Sequence, residues 1–224
     1  MRINVSGEDW FEQAWAYREE VLYPAIFGTK AEGDIFTLTS DVFKSRFNQK
    51  TVDPRWLHHG VLVFPPAPAA SSWRFVTSGL SNAWEADSPD PSDWSGLGCE
   101  FVMEAPENAQ WALSVMLSVL AYQLLLAAGR FGEPRLLNVY HRIPVGGAID
   151  GLESELTHVF MCPSAIAPDD LQLASGKFAL LQVVGATQAE IKFARDRSGE
   201  ELFALLKAGG AYPVTNPARP AVLS

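Results

Sequence analysis

Cysteine is nearly missing from this chain: Cys99 and Cys162 are the only two in 224 residues, far apart and in no Cys-x-x-Cys pair. That excludes a disulfide scaffold and a cysteine-rich zinc site, and it suits a reducing compartment. Basic clusters are missing as well. Lys and Arg number 17 against 26 Asp and Glu, a formal net charge of −9, and the densest basic stretch, Lys192 to Arg197, mixes three cations with one acid. Nucleic-acid binders need a basic footprint to displace phosphate counterions, and an anionic membrane surface would repel this chain for the same reason. Neither partner is expected. The first ten residues hold no apolar stretch of signal-peptide type, so a cytoplasmic protein is expected.

What the chain does have is a core. Hydrophobic residues make up 48% and charged residues 19%, with 7 Trp and 13 Phe, a globular composition. A chain this long buries roughly 70% of the surface its unfolded form exposes, so one large unit needs no staples. Residues 111–128, WALSVMLSVLAYQLLLAA, reach the lower edge of bilayer-spanning length. Two Ser and Gln123 interrupt the run, no Lys/Arg cluster flanks it, and Asn108 and Gly129 can cap its ends. The expectation is a buried central helix over about 108–128.

An N-terminal helix is expected over about 7–23, on the helical spacing of Trp10, Ala14, Tyr17 and Val21, with Pro24 closing it. Strands are expected at Val61–Phe64, Trp73–Thr77, Leu136–Tyr140, Leu156–Met161 and Phe178–Val184. Cys99 to Glu104 alternates apolar and acidic, the pattern of a half-exposed, antiparallel strand. Thr187-x-x-Glu190 and Ser198-x-x-Glu201 are capping boxes that start two short helices, the second ending at Gly209-Gly210. No repeat and no linker divides the chain. The fold class is α+β: a single-domain α/β sandwich over 1–224, its sheet mixed, largely antiparallel and packed by helices.

Catalytic constellations are hard to find. His58 and His59 are adjacent, which on a strand sends them to opposite sides, and His158 with Cys162 lacks two further metal ligands. Cys99 sits beside Glu100 in an apolar alternation, and both neighbours favour the neutral thiol. Gly79-Leu80-Ser81-Asn82-Ala83 begins like a nucleophile elbow but has no closing Gly. Gly96-Leu97-Gly98 leads into a strand, whereas a dinucleotide loop opens a helix. Glu190, Glu200 and Glu201 are explained as helix-start charges. No metal, cofactor or catalytic residue is therefore expected. Two alternatives stay open: an enzyme with a dispersed site near Cys99 or His141, and a homo-oligomer, a homodimer for instance, joined through strand 99–104 as an edge.

The long polar loop between Trp84 and Trp94 stands apart. It carries Glu85, Asp87, Asp90 and Asp93 with Pro89 and Pro91. Loops of this length inside compact domains are uncommon unless functional or disordered, and two flanking Trp are ready anchors for a partner. Trp84, Glu85, Asp87, Asp90, Asp93 and Trp94 are the candidate partner-binding residues.

Several segments in order resemble the suppressor-of-fused domain family. Trp73-Arg74-Phe75-Val76-Thr77-Ser78-Gly79-Leu80-Ser81-Asn82 is similar to its aromatic-V-T-x-G-L-S run. Ser95-Gly96-Leu97-Gly98-Cys99-Glu100-Phe101 looks like its S-G-x-G-x-E-[LF] segment, and Trp111-Ala112-Leu113, leading to Leu120-Ala121-Tyr122, is similar to its W-A…L-A-x-Y helix. Leu180 to Thr187 with Glu190, then Val214-Thr215-Asn216 with Arg219, are similar to its F-L-Q-x-V-G-I-T-x-x-E and V-T-D-x-x-R segments. The resemblance spans about residues 56–222. It implies an α/β sandwich without enzymatic activity whose role is to hold another protein. The animal member sequesters a transcription factor through an extended peptide, and bacterial relatives are regarded as immunity proteins that neutralise a toxin. It also places Trp84 near an aromatic partner contact and Asp93 near an acidic one. The animal protein's second, clasping domain is not expected here. With the −9 charge, the implied partner is a basic protein.

Overall fold

The computed structural model describes residues 9–68, 70–167 and 170–223. Its centre is an eight-stranded sheet built from β1 (Phe36–Thr37), β2 (Gly60–Phe64), β3 (Trp73–Ser78), β4 (Trp94–Ala105), β5 (Arg142–Pro144), β6 (Leu156–Pro163), β7 (Leu171–Leu173) and β8 (Gly176–Thr187). The order across it is β1-β2-β3-β4-β8-β6-β5, with β7 pairing off the path to β8. Among these strands only β4 and β8 pair in parallel; the other strand pairings are antiparallel. The sheet is thus mixed and largely antiparallel, as expected.

Helices cover both faces. On one lie α3 (Ser40–Phe47) and α4 (Gln110–Ala127), packed on Val61, Val63, Phe75, Phe101, Met103 and Val183. On the other, α1 (Asp9–Tyr17), a π-helical turn (Arg18–Leu22) and α2 (Tyr23–Phe27) lead onto Leu62, Phe64, Val76 and Val102. Farther along that second face, α5 (Gln188–Asp196) and α6 (Gly199–Ala208) cover Phe160, Cys162, Val184 and Ala186.

The central helix is apolar on nearly every side because it is enclosed: Leu113, Met116, Val119, Leu120, Leu124 and Leu125 are all buried. By length and hydropathy it could cross a membrane, yet it lies against β2, β3 and β4. Asn108 does not cap it. Ala109 takes that place with no side-chain bond, and the helix ends as expected at Gly129, with φ +67°. There the Arg130 amide donates to Leu125 O and the Gly129 amide to Leu126 O, the paired bonds of a Schellman ending.

Strand 99–104 departs from its expected setting. Its alternation is real, with Cys99, Phe101 and Met103 facing α4. The opposite face is not solvent, because the N-terminal helices cover it, and Glu100 and Glu104 are buried. Nor is β4 an edge: it lies between β3 and β8, so it is not free to join a second copy. The path ends instead in β1, two residues long, and β5, three residues with Pro144, both short as protected edges are.

Other departures have local causes. Leu136–Tyr140 is no strand, because Tyr140 has φ +68° and turns the chain just before β5. Pro24 does not close the first helix. The Tyr23 amide reaches back to Arg18 O in the π-helical turn, and α2 continues past the proline, which sits in its first turn, to Gly28. The expected stripe holds only in part: Ala14 is buried, but Tyr17 and Val21 are exposed and Arg18 is buried instead.

Candidate functional site

The acidic loop rises from a polar base buried beneath it. Glu100, on β4, has no exposed surface and accepts from the Gly79 amide at 3.0 Å, the Ser81 amide at 2.9 Å, the Ser81 hydroxyl at 2.8 Å and the Thr77 hydroxyl at 2.6 Å. It therefore folds the Gly79-Leu80-Ser81 turn around a carboxylate. Arg18, equally buried, supplies the opposite charge at 3.7 Å. Its guanidinium donates to Ser78 Oγ at 2.6 Å, Ser81 Oγ at 2.8 Å and Asn82 Oδ1 at 2.6 Å. A buried charge needs such a partner and such hydrogen bonds to be tolerated. The run that begins like a nucleophile elbow is thus a structural turn.

The rest of the loop base is backbone fitted to backbone. Leu97 N donates to Leu80 O at 2.7 Å, and Ser95 Oγ to Ser81 O at 2.7 Å. Gly96 has φ +58°, and a Cβ there would collide with the carbonyl oxygens of Asn82 and Leu80. Close approach of the two arms is what requires glycine at position 96. At the far end Lys177 N donates to Asp93 O at 2.7 Å, which staples the loop to β8.

Beside the loop lies a depression of about 520 Å³. Five of the six candidate residues line it: Trp84, Glu85, Asp90, Asp93 and Trp94; Asp87 does not. The two tryptophans differ. Trp84 is half-buried, packed at 4.7 Å centroid distance on Phe11 and stacked at 6.2 Å on His59. Trp94 is 52% exposed. Glu85 pairs with Arg55 at 2.5 Å. Asp90 accepts from the Ser92 amide and hydroxyl, which hold its carboxyl below the usual range, and Asp93 accepts from the Trp94 amide.

Sequence reasoning missed the other contributors. Asp53, which caps a short 3-10 turn at Pro54–His58, and Arg55, within it, also line the depression, and the Arg55 bonds hold the Asp53 carboxyl below its ordinary value. His58 and His59 leave that turn rather than a strand, the first exposed and the second buried. Burial lowers the His59 pKa. The only signal for Arg18 was a lone cation four residues from Ala14 and four from Leu22.

Elsewhere the chemistry-bearing residues are inert or structural. Burial pushes the Cys99 and Cys162 thiols well above their ordinary range, so neither is a ready nucleophile. His141 accepts from the Asn138 amide and is lowered by partial burial and by Arg135 and Arg142. No group of three metal-ligating side chains occurs among the described residues. Thr187 and Glu190 form the expected capping box, and Glu190 also holds Arg219 through two bonds of 2.7 and 2.8 Å. Ser198 caps only the Glu201 amide.

The geometry agrees with what the chain is similar to. A solved structure of the Sufu–Fu complex matches over 82% of this chain and 88% of that chain, with a TM-score of 0.57 at 18% identity. Drosophila Suppressor of Fused gives the same score and identity over 82% of this chain, which spans only 49% of that protein. A suppressor of fused homolog from Neisseria gonorrhoeae matches over 97% of this chain and 99% of its own, with a TM-score of 0.61 at 14% identity. No curated protein sequence matches. The family model for suppressor of fused protein matches residues 55–220, which contain the Glu100 turn, the acidic loop and the Glu190–Arg219 pair, and the chain belongs to that family.

Proposed function

We propose that this protein is a non-catalytic binding module that holds a basic protein partner against the acidic loop. The observation that carries this reading is the composition of one surface. Around the depression stand four carboxylates, Asp53, Glu85, Asp90 and Asp93, against the single guanidinium of Arg55, with Trp94 half exposed at the rim. An excess of negative charge steers a basic partner, and a large aromatic beside it gives that partner a place to bury apolar surface. The buried Glu100 turn keeps the loop's base in place, so little ordering entropy is lost on binding. That a family member has been solved in a complex with Fu supports the class of function. The role we assign is neutralisation or sequestration, as an immunity protein does to a toxin whose own site expects phosphate. Two unpaired, buried cysteines suit the cytoplasm.

The test is affinity capture of tagged full-length protein from its native host, with a salt-wash series and mass spectrometry. A single stoichiometric basic partner, lost at high salt and lost from an Asp87→Lys, Asp90→Lys, Asp93→Lys variant, supports the reading. A partner held equally by that variant, with the same salt dependence, overturns the loop as its site.

A further inference from the structure

We propose that the N-terminal segment Asp9–Leu22 is a strap that positions the acidic loop, so that seating of the strap and order of the loop are one equilibrium. Its bearing on partner binding rests on the loop being the binding surface; the coupling itself does not.

Two contacts make the connection. Arg18 grips Ser78, Ser81 and Asn82 at once, and the Asn82 carbonyl in turn accepts from the Trp84 amide at 2.9 Å. Arg18 is therefore one residue removed from the backbone of the loop's first tryptophan. Above it, Phe11 and Trp15 pack on the Trp84 ring at 4.7 and 6.3 Å. Glu19 completes the seat by accepting from Trp15 Nε1 at 2.5 Å and from the Ser78 hydroxyl. Backbone and ring at the loop's leading edge are thus both held by one segment, with His59 also stacked on the Trp84 ring. The π-helical turn at Arg18–Leu22 belongs to this device, a local winding frequent at functional sites.

The strap is also the part best suited to move. Between residues 10 and 22 only Ala14 and Arg18 are buried, and Tyr17 and Val21 are 45% and 52% exposed. Few buried apolar contacts mean that it opens more readily than the sheet core. Arg18 Nε, Asn82 Nδ2 and Trp84 Nε1 are buried donors without a protein acceptor among the described residues. Opening the junction gives all three access to water, which lowers the cost of release. The sheet core beneath is apolar and enclosed: Phe75, Phe101, Met103 and Val183 are wholly buried.

Hydrogen exchange on the full-length protein tests this without any partner. The Gly79 and Ser81 amides, held by Glu100, and the Leu97 amide, held by Leu80, report on the loop base. Exchange of residues 10–22 and of these three amides is expected to share one dependence on low urea. In a Phe11→Ala/Trp15→Ala variant both should accelerate together by at least tenfold, while Phe101–Met103 and the interior of α4 keep their protection. Arg18→Lys, which keeps the charge beside Glu100 but loses the fork, is expected to give a smaller joint acceleration. If residues 10–22 accelerate while the loop-base amides stay at the wild-type rate, the strap is only a cover and the proposal fails. Separate urea dependences in the wild-type protein overturn it equally. Joint exchange together with unaltered partner capture by the triple-lysine variant would instead leave the strap standing and remove the loop as binding surface.

Discussion

Arg18 and Glu100 face each other at 3.7 Å with no exposed side-chain surface on either, and the Ser81 hydroxyl joins them, accepting from the guanidinium and donating to the carboxylate at 2.8 Å each. A buried pair of this kind need not add net stability, but breaking it leaves one charge uncompensated. Glu100→Gln keeps the shape and removes the charge, and is expected to cost about 3–5 kcal/mol in urea denaturation. Ser81→Ala, which deletes only the joint, is expected to cost about 1–3 kcal/mol. Equal, small effects from both would mean that the centre is solvated and not a buried pair.

Gly96 marks the closest approach of the loop's two arms. Its φ of +58° already disfavours any side chain, and a Cβ would strike the carbonyl oxygens of Leu80 and Asn82. Gly96→Ala should therefore cost at least about 2 kcal/mol, strain and collision adding together. Gly33, also at positive φ but with nothing within 4 Å of a Cβ, is the control. Gly33→Ala should cost about 1 kcal/mol, from backbone conformation alone. Thermal unfolding of the two variants makes the comparison.

What could be read in the sequence was whatever the chain settles locally. The Thr187–Glu190 capping box, the Gly129 helix ending and the apolar alternation of Cys99–Met103 need only neighbours within a few residues. What could not be read depends on contacts distant in the chain. Glu100 has the pattern of a solvent-facing acid, and only the helix carrying Arg18 makes that face an interior. Arg18 points inward because it lies four residues after the buried Ala14 on the same helix face, a face its charge gave no reason to place inside. Leu136–Tyr140 has strand composition, but one left-handed residue, Tyr140, turns it. At the candidate site the loop's own carboxylates were legible, whereas Asp53, Arg55 and His59 reach it from an earlier turn that carries no motif.

Glu190 links the start of α5 to the C-terminal segment, accepting from Arg219, from the Thr187 amide and from the Val222 amide at 2.8 Å. Burial works to raise its pKa, but the Arg219 and amide hydrogen bonds outweigh it, and the carboxyl lies below its ordinary 4.5. A folded-state value below the unfolded one gives stability that is complete above about pH 4.5 and is lost as pH falls through the folded value. Glu190→Gln should lower stability by about 3 kcal/mol at pH 7, and the gap from wild type should narrow on acidification to pH 3. Melting curves across that range check both the size and the sign. A gap that stays constant would show that Glu190 acts only through shape.

Both cysteines should be silent toward thiol reagents while the protein is folded. Cys99 packs on the α4 side of β4 and Cys162 against α5 and α6, and burial raises both thiols. With a neutral, covered sulfur, labelling at pH 7.5 is expected to proceed only at the rate of unfolding, and both positions should appear together once urea is added. Fast labelling of Cys99 alone in the native protein would return it to consideration as a reactive group.

Trp84 and Trp94 bracket one loop yet should fail differently when truncated. Trp84 is held by Phe11, Trp15 and His59, so Trp84→Ala removes packing and is expected to cost about 3 kcal/mol of stability, the low end of the range for losing a large aromatic. Trp94 is 52% exposed and sits at the rim of the depression. Trp94→Ala should move stability by only about 0.5 kcal/mol. If the loop is the binding surface, the same change should weaken the captured partner by roughly thirtyfold, the loss of a central aromatic anchor worth about 2 kcal/mol. Urea denaturation and titration calorimetry on the two variants separate a residue that builds the site from one that meets the partner. A stable Trp94→Ala protein of unchanged affinity would place the contact elsewhere on the molecule.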